Sequence, residues 1–435
     1  MKRATIRTYR HGLGDCHLVS IRRKVKDDPP YRILIDCGVI LGTADAKQKM
    51  SNVMADILEV TGGKVDLLVA THEHGDHVSG FLQAADQFGQ LEVDSVWMAW
   101  TEDENDELAT ALRTDRTNAL ASLQRAAARL QIEGNEFQDS HPMLSLLEFF
   151  GAAGQATTKA ALEAVRVKAT GTLRYCSPKD DPADVPSADA RIYVLGPPRD
   201  LALLKKTSPS KAAPETYSLA FQNFQDSVVN ALDRTEEQLP FSGPFRIPMS
   251  ASKAMPFFQK NYWDGEPWRR IDVAWMDDAT QFALALDNMT NNTSLVLAIE
   301  LEQNDVLLFA ADAQVGNWLS WGDCSWNVQN RTVSGIDLLN RTRVYKVGHH
   351  GSHNATLREK GLELMEKLYA ATIPVDHQMA IKKRWGNIPL GSLEAALIKV
   401  TTGNDGFVLR ADMPLSPAAT AKGVVATDLY FEFDV

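Results

Sequence analysis

Three histidines and one aspartate fall within six consecutive positions, in the stretch HEHGDH that begins at His72. The chain has only 10 histidines in 435 residues, so this concentration calls for a chemical reason. His72 and His74 alternate, so both can point the same way from an extended segment. Gly75 lets the backbone turn, so that Asp76 and His77 approach from another side. Imidazole nitrogens with a carboxylate oxygen suit zinc, manganese or iron, and the stretch therefore predicts a metal site. The alternative is a polar loop with surface histidines.

The sequence around this stretch predicts a layered α/β core. The run KVDLLVAT is continuously apolar, which is typical of a buried strand, and it ends directly before His72. Other strands in the first hundred residues are predicted for ATIRTYR, CHLVSIRR, YRILIDCG and VDSVWMAW, with a helix for MSNVMADILEVTG. Later strands are predicted for ARIYVLG, NNTSLVLAIEL, VLLFAADA, TRVYKVG, YAATIPVD and DGFVLRA, with a helix for NATLREKGLELMEKL. Strands and helices with polar loops at the strand ends indicate an α/β fold.

The amino-acid composition and the hydrophobic pattern of the chain change at about residue 101. The segment TEDENDELATALRTDRTNALASLQRAAARLQ is alanine-rich, charged and helical in pattern. It predicts a large insertion over 101–286, mostly helical with some strand. The two halves of the core domain are then expected at 1–100 and 287–435.

Composition narrows the class of protein. Hydrophobic residues make up 44% and charged residues 23%, with a formal net charge of −11. This balance argues against a broad surface that coats nucleic acid, although a local basic groove remains compatible with it. The four cysteines form no CxxC pair, so a disulfide framework is not expected. With neither a signal-peptide pattern nor a long apolar window, we expect a soluble cytoplasmic protein without membrane contact.

Several motifs together resemble one family. THEHGDHVSGF resembles the HxHxDH signature of the metallo-β-lactamase superfamily. HGLGDCHLVSI and ILIDCG look like its two leading strand segments, VLLFAADA like the strand that carries its metal-bridging aspartate, and YKVGHHGSHNAT like its closing histidine motif. The trio NNTSLVL, FAADA and KVGHHGS is most similar to the hydrolase domain of the ComEC family of DNA-uptake channels and its soluble relatives. The resemblance covers about 1–100 and 287–415 and implies an αββα sandwich.

The resemblance also implies a ligand set for one or two divalent ions, Zn²⁺ or Mn²⁺. It assigns one ion to His72 and His74, and a second to Asp76 and His77. The bridging ligand would be Asp312. One histidine of the pair 349–350 would complete the second site, and His350 is favoured because it stands directly before the Gly-Ser of the closing motif.

Catalytic roles follow from the same resemblance. Asp76 and Asp312 are expected to orient an attacking water. His349 is expected to contact the substrate or to donate a proton to the leaving group.

One position departs from the superfamily pattern. Most members have a further histidine between HxHxDH and the bridging aspartate, whereas this chain has only His141 in that interval, inside the expected insertion. The usual position falls near TNNTS, at Asn291 and Asn292. An amide oxygen or water could fill the gap, which favours a harder ion such as manganese. The alternative for the two asparagines is a turn before a strand.

Weaker candidates surround the motifs. Ser352 follows the histidine pair and is a candidate substrate contact. Lys383 and Arg384, in IKKRWGN, could bind a phosphate backbone beside an aromatic residue, with a solvated basic loop as the alternative. His11 and Asp15, in HGLGD, could line the site or form a plain tight turn.

The sequence therefore predicts a metal-dependent hydrolase, with a phosphodiesterase or nuclease acting on DNA or RNA through metal-activated water as the first hypothesis. The partner would then be nucleic acid or a nucleotide. A phosphodiesterase for a small molecule, such as a cyclic nucleotide or a phosphocholine ester, is the runner-up. A lactone or thioester hydrolase comes third, since it would be expected to carry the full histidine set. A non-catalytic or partner-regulated effector would use the insertion to bind a regulatory protein. Oligomeric state stays open.

Overall fold

Two compact units make up the chain. The computed structural model describes residues 3–132, 158–178, 180–207, 247–266, 271–383 and 385–435. The first unit comprises Met1–Thr114, Glu148–Pro214 and Asp287–Val435, and the second comprises Asp115–Leu147 and Glu215–Leu286. The insertion boundaries at 101 and 286 stay a prediction.

The first unit contains an eight-stranded sheet in the order β16-β17-β1-β2-β3-β4-β5-β6 among the described residues. Its strands are β1 (Ala4–Tyr9), β2 (Cys16–Ile21), β3 (Tyr31–Cys37), β4 (Lys64–Ala70), β5 (Glu92–Ala99), β6 (Ala169–Cys176), β16 (Val425–Ala426) and β17 (Tyr430–Asp434). Strands β3 to β6 run parallel, and the remaining neighbours pair antiparallel. The parallel half carries the HEHGDH stretch directly after β4.

A seven-stranded sheet lies in the same unit, in the order β15-β14-β13-β10-β9-β8-β7. Its strands are β7 (Ala183–Asp184), β8 (Ala190–Gly196), β9 (Val296–Leu301), β10 (Val306–Phe309), β13 (Thr342–Lys346), β14 (Ala370–Ile373) and β15 (Phe407–Arg410). A separate hairpin pairs β11 (Ser325–Val328) with β12 (Arg331–Ser334). Strands β10, β13, β14 and β15 are parallel, so their carboxyl ends meet at one edge of the sheet.

The two sheets pack face to face through one apolar core. Ile33 and Ile35 of β3 and Leu297 and Ile299 of β9 belong to it and are at most 2% exposed. A second core lies between the first sheet and the helix Ala46–Thr61. That helix buries Met50, Val53, Met54, Ile57 and Thr61. This spacing gives one apolar stripe, as an amphipathic helix requires.

Helices cover both sheets, so the predicted α/β class and αββα sandwich are confirmed. In the first unit the helices are Ala46–Thr61, Gly75–Val78, Gly80–Gln83, Ala85–Gln90, Thr158–Arg166, Leu201–Leu204, Val315–Ser320, Gly335–Asn340, His377–Lys382, Gly391–Gly403 and Pro417–Ala421. The helix Gly391–Gly403 contacts β14 and β15 on the outer face of the second sheet.

The described residues of the second unit are mostly helical. The helix Glu107–Ile132 enters it at residue 115, and the helix Ile271–Asn292 leaves it after residue 286. Between them lie Met249–Lys253, Pro256–Phe258 and the π-helical turn Gln259–Trp263. Within the described segments, no helix combines the length and the apolar composition needed to cross a bilayer.

One predicted element is wrong. The stretch NATLREKGLELMEKL forms turns and the short 3₁₀ helix Leu362–Leu364 instead of an α-helix. The backbone folds back at Gly361, where an added Cβ would stand 2.3 Å from the Leu357 carbonyl oxygen. Leu362, Met365 and Leu368 are buried by this turn.

Candidate metal centre

The HEHGDH stretch leaves β4 in an extended conformation and then turns into the helix Gly75–Val78. His72 Nε2 lies 3.1 Å from His74 Nδ1, and both rings are buried. Two ring nitrogens that face each other this closely can share a proton or a cation. The alternation expected from the sequence therefore brings the two imidazoles together.

Four further side chains meet beside this pair. Asp76, His77, Asp312 and His350 each offer a ligand atom, and these atoms all lie within 4.8 Å of one another. His350 Nε2 is 2.9 Å from Asp76 Oδ2, and His77 Nε2 is 3.2 Å from Asp312 Oδ2. Ligands held at about 2.0–2.2 Å from one tetrahedral ion stand roughly 3.4 Å apart, which is close to these separations.

The far nitrogens of these two histidines are held by protein groups. His77 Nδ1 lies 2.8 Å from Asp36 Oδ2, and His350 Nδ1 lies 2.6 Å from the Pro374 carbonyl oxygen. Asp36 also accepts hydrogen bonds from the Thr71 backbone N–H and hydroxyl. Because the outer nitrogens are occupied, each ring presents Nε2 to the centre.

Four non-glycine residues with positive φ lie at this edge of the sandwich. Asp36, Ala311, His349 and His350 have φ values of 54°, 46°, 42° and 54°, in the left-handed region that favours glycine. Such residues cost about 1–3 kcal/mol each and cluster at functional sites. The strained turn at 349–350 separates the two rings, so that His350 is buried at the centre and His349 is half-buried.

A buried lysine completes the group. Lys346 is the last residue of β13 and is 1% exposed. Its Nζ donates to the Ala311 carbonyl oxygen at 2.9 Å, forms an ion pair with Asp15, and lies 3.4 Å from Asp312 Oδ1. The sequence analysis did not identify Lys346, because a lysine beside a loop is ordinarily solvated.

A second residue that the sequence analysis missed lies near the His72–His74 pair. Asp287, on the helix Ile271–Asn292, places Oδ1 at 3.8 Å from His74 Nε2. Its Oδ2 accepts a hydrogen bond from Asn291 Nδ2 at 3.3 Å, one helical turn further on. Burial and the neighbouring carboxylates Asp76 and Asp312 raise the pKa of Asp287 well above its usual value. A buried carboxyl group thus stands beside the half of the site that lacks a third histidine.

The protonation of the imidazoles follows from their surroundings. Burial lowers the pKa of His74 to about 3 and that of His349 to about 4, so both rings are neutral near pH 7. Burial opposes the charging of His77 as well, but Asp312, Asp15 and Asp36 outweigh it and raise the pKa of His77 well above its usual value.

The donor set fits a divalent ion. Among the described residues, Asp76 Oδ1 and Asp287 Oδ1 are buried without a hydrogen-bond partner. Such atoms are costly in a protein interior unless something binds them. A mixed set of nitrogen and carboxylate oxygen ligands suits Zn²⁺ or Mn²⁺.

The remaining predicted residues occupy different places. Asn291 Nδ2 lies 3.4 Å from His349 Nε2, and Ser352 Oγ lies 2.8 Å from His349 Nδ1. The side-chain amide of Asn292 instead bonds main-chain groups of residues 203, 204, 206, 314 and 317. Lys383 follows the helix His377–Lys382 and donates its N–H to Met379. Arg384 and His141 lie outside the described residues.

Comparison with known protein families gives a match over one part of the chain. Residues 28–101 match the family model of the metallo-beta-lactamase superfamily. The matched segment runs from β3 to β5 and contains the HEHGDH stretch, whereas Asp312 and His350 lie outside it. No curated protein matches the chain significantly.

Proposed function

We propose that the protein is a metal-dependent hydrolase that cleaves phosphodiester bonds. One observation carries the proposal: the buried group of Asp76, His77, Asp312 and His350, whose ligand atoms lie within 4.8 Å of one another. His72 and His74 would hold a first divalent ion, and this group would hold a second. The superfamily match over 28–101 supports the metal chemistry.

The chemistry that a divalent ion supplies at such a site is Lewis acidity, which makes water a competent nucleophile near neutral pH. The protein's own groups would orient that water. Asp76 Oδ1 is a buried acceptor without a protein partner among the described residues, so it is suited to accept a water proton. Asp312 would orient the same water through its Oδ2, from the opposite half of the sandwich.

His349 is the proposed contact for the leaving group. Ser352 Oγ lies at Nδ1 of this half-buried ring and fixes its orientation. Burial lowers the pKa of His349 to about 4, so the free ring is neutral and must gain a proton before it can donate one. An anionic phosphate beside the ring would raise that pKa, because an adjacent negative charge stabilises the imidazolium.

Nucleic acid is the first substrate class we propose, on the resemblance to the ComEC-type hydrolase domain. The amides of Asn291 and Gln314 lie near the His349 ring, at 3.4 Å and 3.5 Å, and are neutral donors for phosphate or sugar oxygens. A cyclic nucleotide or a phosphocholine ester is the second candidate, favoured by the net charge of −11. A strongly acidic protein repels a long polyanion more than a small one.

The test is cleavage of single-stranded DNA, plasmid DNA and RNA in Mn²⁺, Zn²⁺, Mg²⁺ or EDTA. We expect cutting with Mn²⁺ or Zn²⁺ that EDTA and Asp76→Asn abolish. Asp323→Asn, an exposed carboxylate outside the centre, is the matched control and should keep full activity.

Two other outcomes have distinct meanings. Hydrolysis of cyclic nucleotides without cutting of any nucleic acid would select the small-substrate alternative. A folded, metal-loaded protein that hydrolyses neither class would contradict the proposed function.

A further inference from the structure

We propose that Lys346, anchored by Asp15, is a positioning residue that fixes the carboxylate of Asp312 with a single oxygen facing the metal centre. The inference rests on the proposed metal-dependent function and goes beyond it, because it assigns a task to two residues that are not ligands.

The Asp312 carboxylate has two differently occupied sides. Its Oδ1 lies 3.1 Å from the His349 backbone N and 3.4 Å from Lys346 Nζ. Its Oδ2 lies 3.2 Å from His77 Nε2 and 3.8 Å from His350 Nε2. One oxygen therefore faces protein donors and the other faces the candidate ligands.

Lys346 can hold this orientation because its own position is fixed. The ammonium donates to the Ala311 carbonyl oxygen at 2.9 Å and forms an ion pair with Asp15 Oδ2. Both members of the pair are 1% exposed. A flexible lysine side chain usually needs water around its charge, so this burial requires the acceptors that surround it.

Asp15 connects the lysine to the other half of the centre. Its backbone N–H donates to the Asp76 carbonyl oxygen at 2.9 Å, and its own carbonyl oxygen accepts from the Gly38 N–H at 3.0 Å. The pair thus links the end of β13 to the loop that supports the HEHGDH stretch. A shift of one half of the sandwich would be transmitted to both metal-facing aspartates.

The ion pair between Lys346 and Asp15 also explains why a neighbouring cluster of possible metal ligands need not bind an ion. Asp15, Asp36 and His77 also lie within 4.8 Å of one another and could hold a metal by composition. Lys346 already supplies a positive charge against Asp15 there. A resident ammonium in that position disfavours a second cation by charge repulsion.

The test separates positioning of Asp312 from simple neutralisation of Asp15. Lys346→Met removes the ammonium that pairs with Asp15 and leaves Oδ2 of that buried carboxylate with His17 and His77 as its nearest partners, each at 3.8 Å. Lys346→Met with Asp15→Asn removes both charges. Arg341→Met is the matched control, since Arg341 pairs with Glu300 just before the same strand begins. Metal-free thermal unfolding, Mn²⁺ and Zn²⁺ affinity by competition with a chromogenic chelator, and Co²⁺ absorption would be measured.

We expect Lys346→Met to lose thermal stability, because the buried charge of Asp15 loses its closest partner. The double variant should regain stability yet bind metal about 10- to 100-fold more weakly than the wild type, as for other residues that orient a ligand. Its Co²⁺ absorption should change, since Oδ1 of Asp312 loses one of its two donors and keeps only the His349 backbone N–H. The Arg341→Met control should bind metal as the wild type does.

Metal affinity within threefold of the wild type in the double variant would overturn the inference, because Lys346 would then serve only to neutralise Asp15. Binding is measured without substrate, so the two proposals can fail separately. A wild type that binds metal in a Lys346-dependent way but hydrolyses no phosphodiester would refute the proposed substrate class alone.

Discussion

At the residue scale, the His77 ring of the candidate centre carries a proton that a bound metal ion would displace. Burial alone would raise the pKa of Asp312, but His77 and Lys346 lower it well below its usual value. The pKa of His77 is raised by the same pairing. In the metal-free protein, His77 is therefore a charged imidazolium beside a carboxylate. Only the neutral ring can act as a metal ligand.

This charge state predicts that metal affinity rises with pH. Because the raised pKa of His77 keeps its ring protonated through neutral pH, the ion that binds through His77 should release at least one proton. The apparent affinity should then increase by about tenfold or more per pH unit between pH 6 and pH 8. Calorimetric titration in buffers of different ionisation enthalpy measures the protons released. An affinity that does not change with pH would contradict this assignment.

Asp287 leads to a prediction for the His72–His74 half of the centre. Asp287→Ala removes the buried carboxyl group whose Oδ1 lies 3.8 Å from His74 Nε2 and would orient this ring when an ion is bound. Loss of such an orienting group typically weakens metal affinity about 10- to 100-fold. Glu300 is another buried carboxylate of the same unit, and Glu300→Gln is the control. This variant should lower stability without changing metal affinity. Equal metal affinity in wild type and Asp287→Ala would refute this role.

The candidate ligands found from spacing alone and the residues missed differ in how far their partners lie along the chain, and Asp312 and His350 were found only through the family resemblance. His72, His74, Asp76 and His77 were predictable because their spacing is local and unusual. Lys346 and Asp287 gain their roles from partners on distant segments, such as Asp15 for Lys346 and His74 for Asp287. A lone lysine or aspartate in a sequence ordinarily indicates a solvated charge. Composition and spacing therefore give no sign of either residue.

At the scale of elements, two glycines let the loops that carry the centre approach one another. A Cβ at Gly38 would stand 2.5 Å from backbone atoms of Asp76 and His77, and one at Gly14 would stand 2.2 Å from the Gly38 carbonyl oxygen. Gly14 also has a φ of 154°. The loops after β1 and β3 thus reach the backbone of the ligand helix directly, which no larger residue permits.

Gly38→Ala should disrupt the centre through backbone displacement alone. We expect a loss of about 1–3 kcal/mol of stability, typical of overpacking, together with weaker metal binding. Gly89→Ala is the matched control, because a Cβ there meets nothing within 4 Å. Since Gly89 lies within the helix Ala85–Gln90, the control should be neutral or stabilising by about 0.5–1 kcal/mol. Chemical denaturation with and without metal measures both effects, and similar losses in the two variants would rule out the close-approach argument.

The helix wrongly predicted for NATLREKGLELMEKL shows a limit of predicting elements from the sequence. Its leucines and methionine recur at helical spacing, but the chain uses them to bury a turn around Gly361 instead. Trp318 lies 3.0 Å from the Cβ position of Gly361, so tertiary packing decides the conformation. Hydrophobic periodicity thus predicts which residues of this stretch are buried, but it does not predict the backbone conformation that buries them.

At the scale of the whole molecule, strands from opposite ends of the chain close one sheet. β1 pairs antiparallel with β17, with Ile6 opposite Phe433. Arg7 joins the helix Ala46–Thr61 to β17 through ion pairs with Asp56 and Glu432. Phe433 also packs edge-on against Phe407 of the second sheet, at 5.4 Å between ring centroids. The final strand thus belongs to the core of the first unit.

Phe433→Ala should therefore destabilise the first unit by about 3–5 kcal/mol, as for other buried aromatic residues. Phe433 is 4% exposed, whereas Phe257 is 70% exposed and provides the control, for which Phe257→Ala should have little effect. Equilibrium unfolding in urea would compare the two variants. A loss below about 1 kcal/mol for Phe433→Ala would mean that β17 contributes little to the sheet.

The pairing of β1 with β17 also affects how the protein is made. At roughly 5–20 residues per second, a ribosome needs on the order of 20–80 s to travel from the codons of β1 to those of β17. Throughout that interval the nascent polypeptide presents an open edge at β1, of the kind that recruits other strands. Asp76 and its partner His350 are separated by 274 positions, so the candidate ligands also come together late. Synthesis in the cell should accordingly depend on chaperones that shield the early strands, and metal loading should follow translation instead of guiding it.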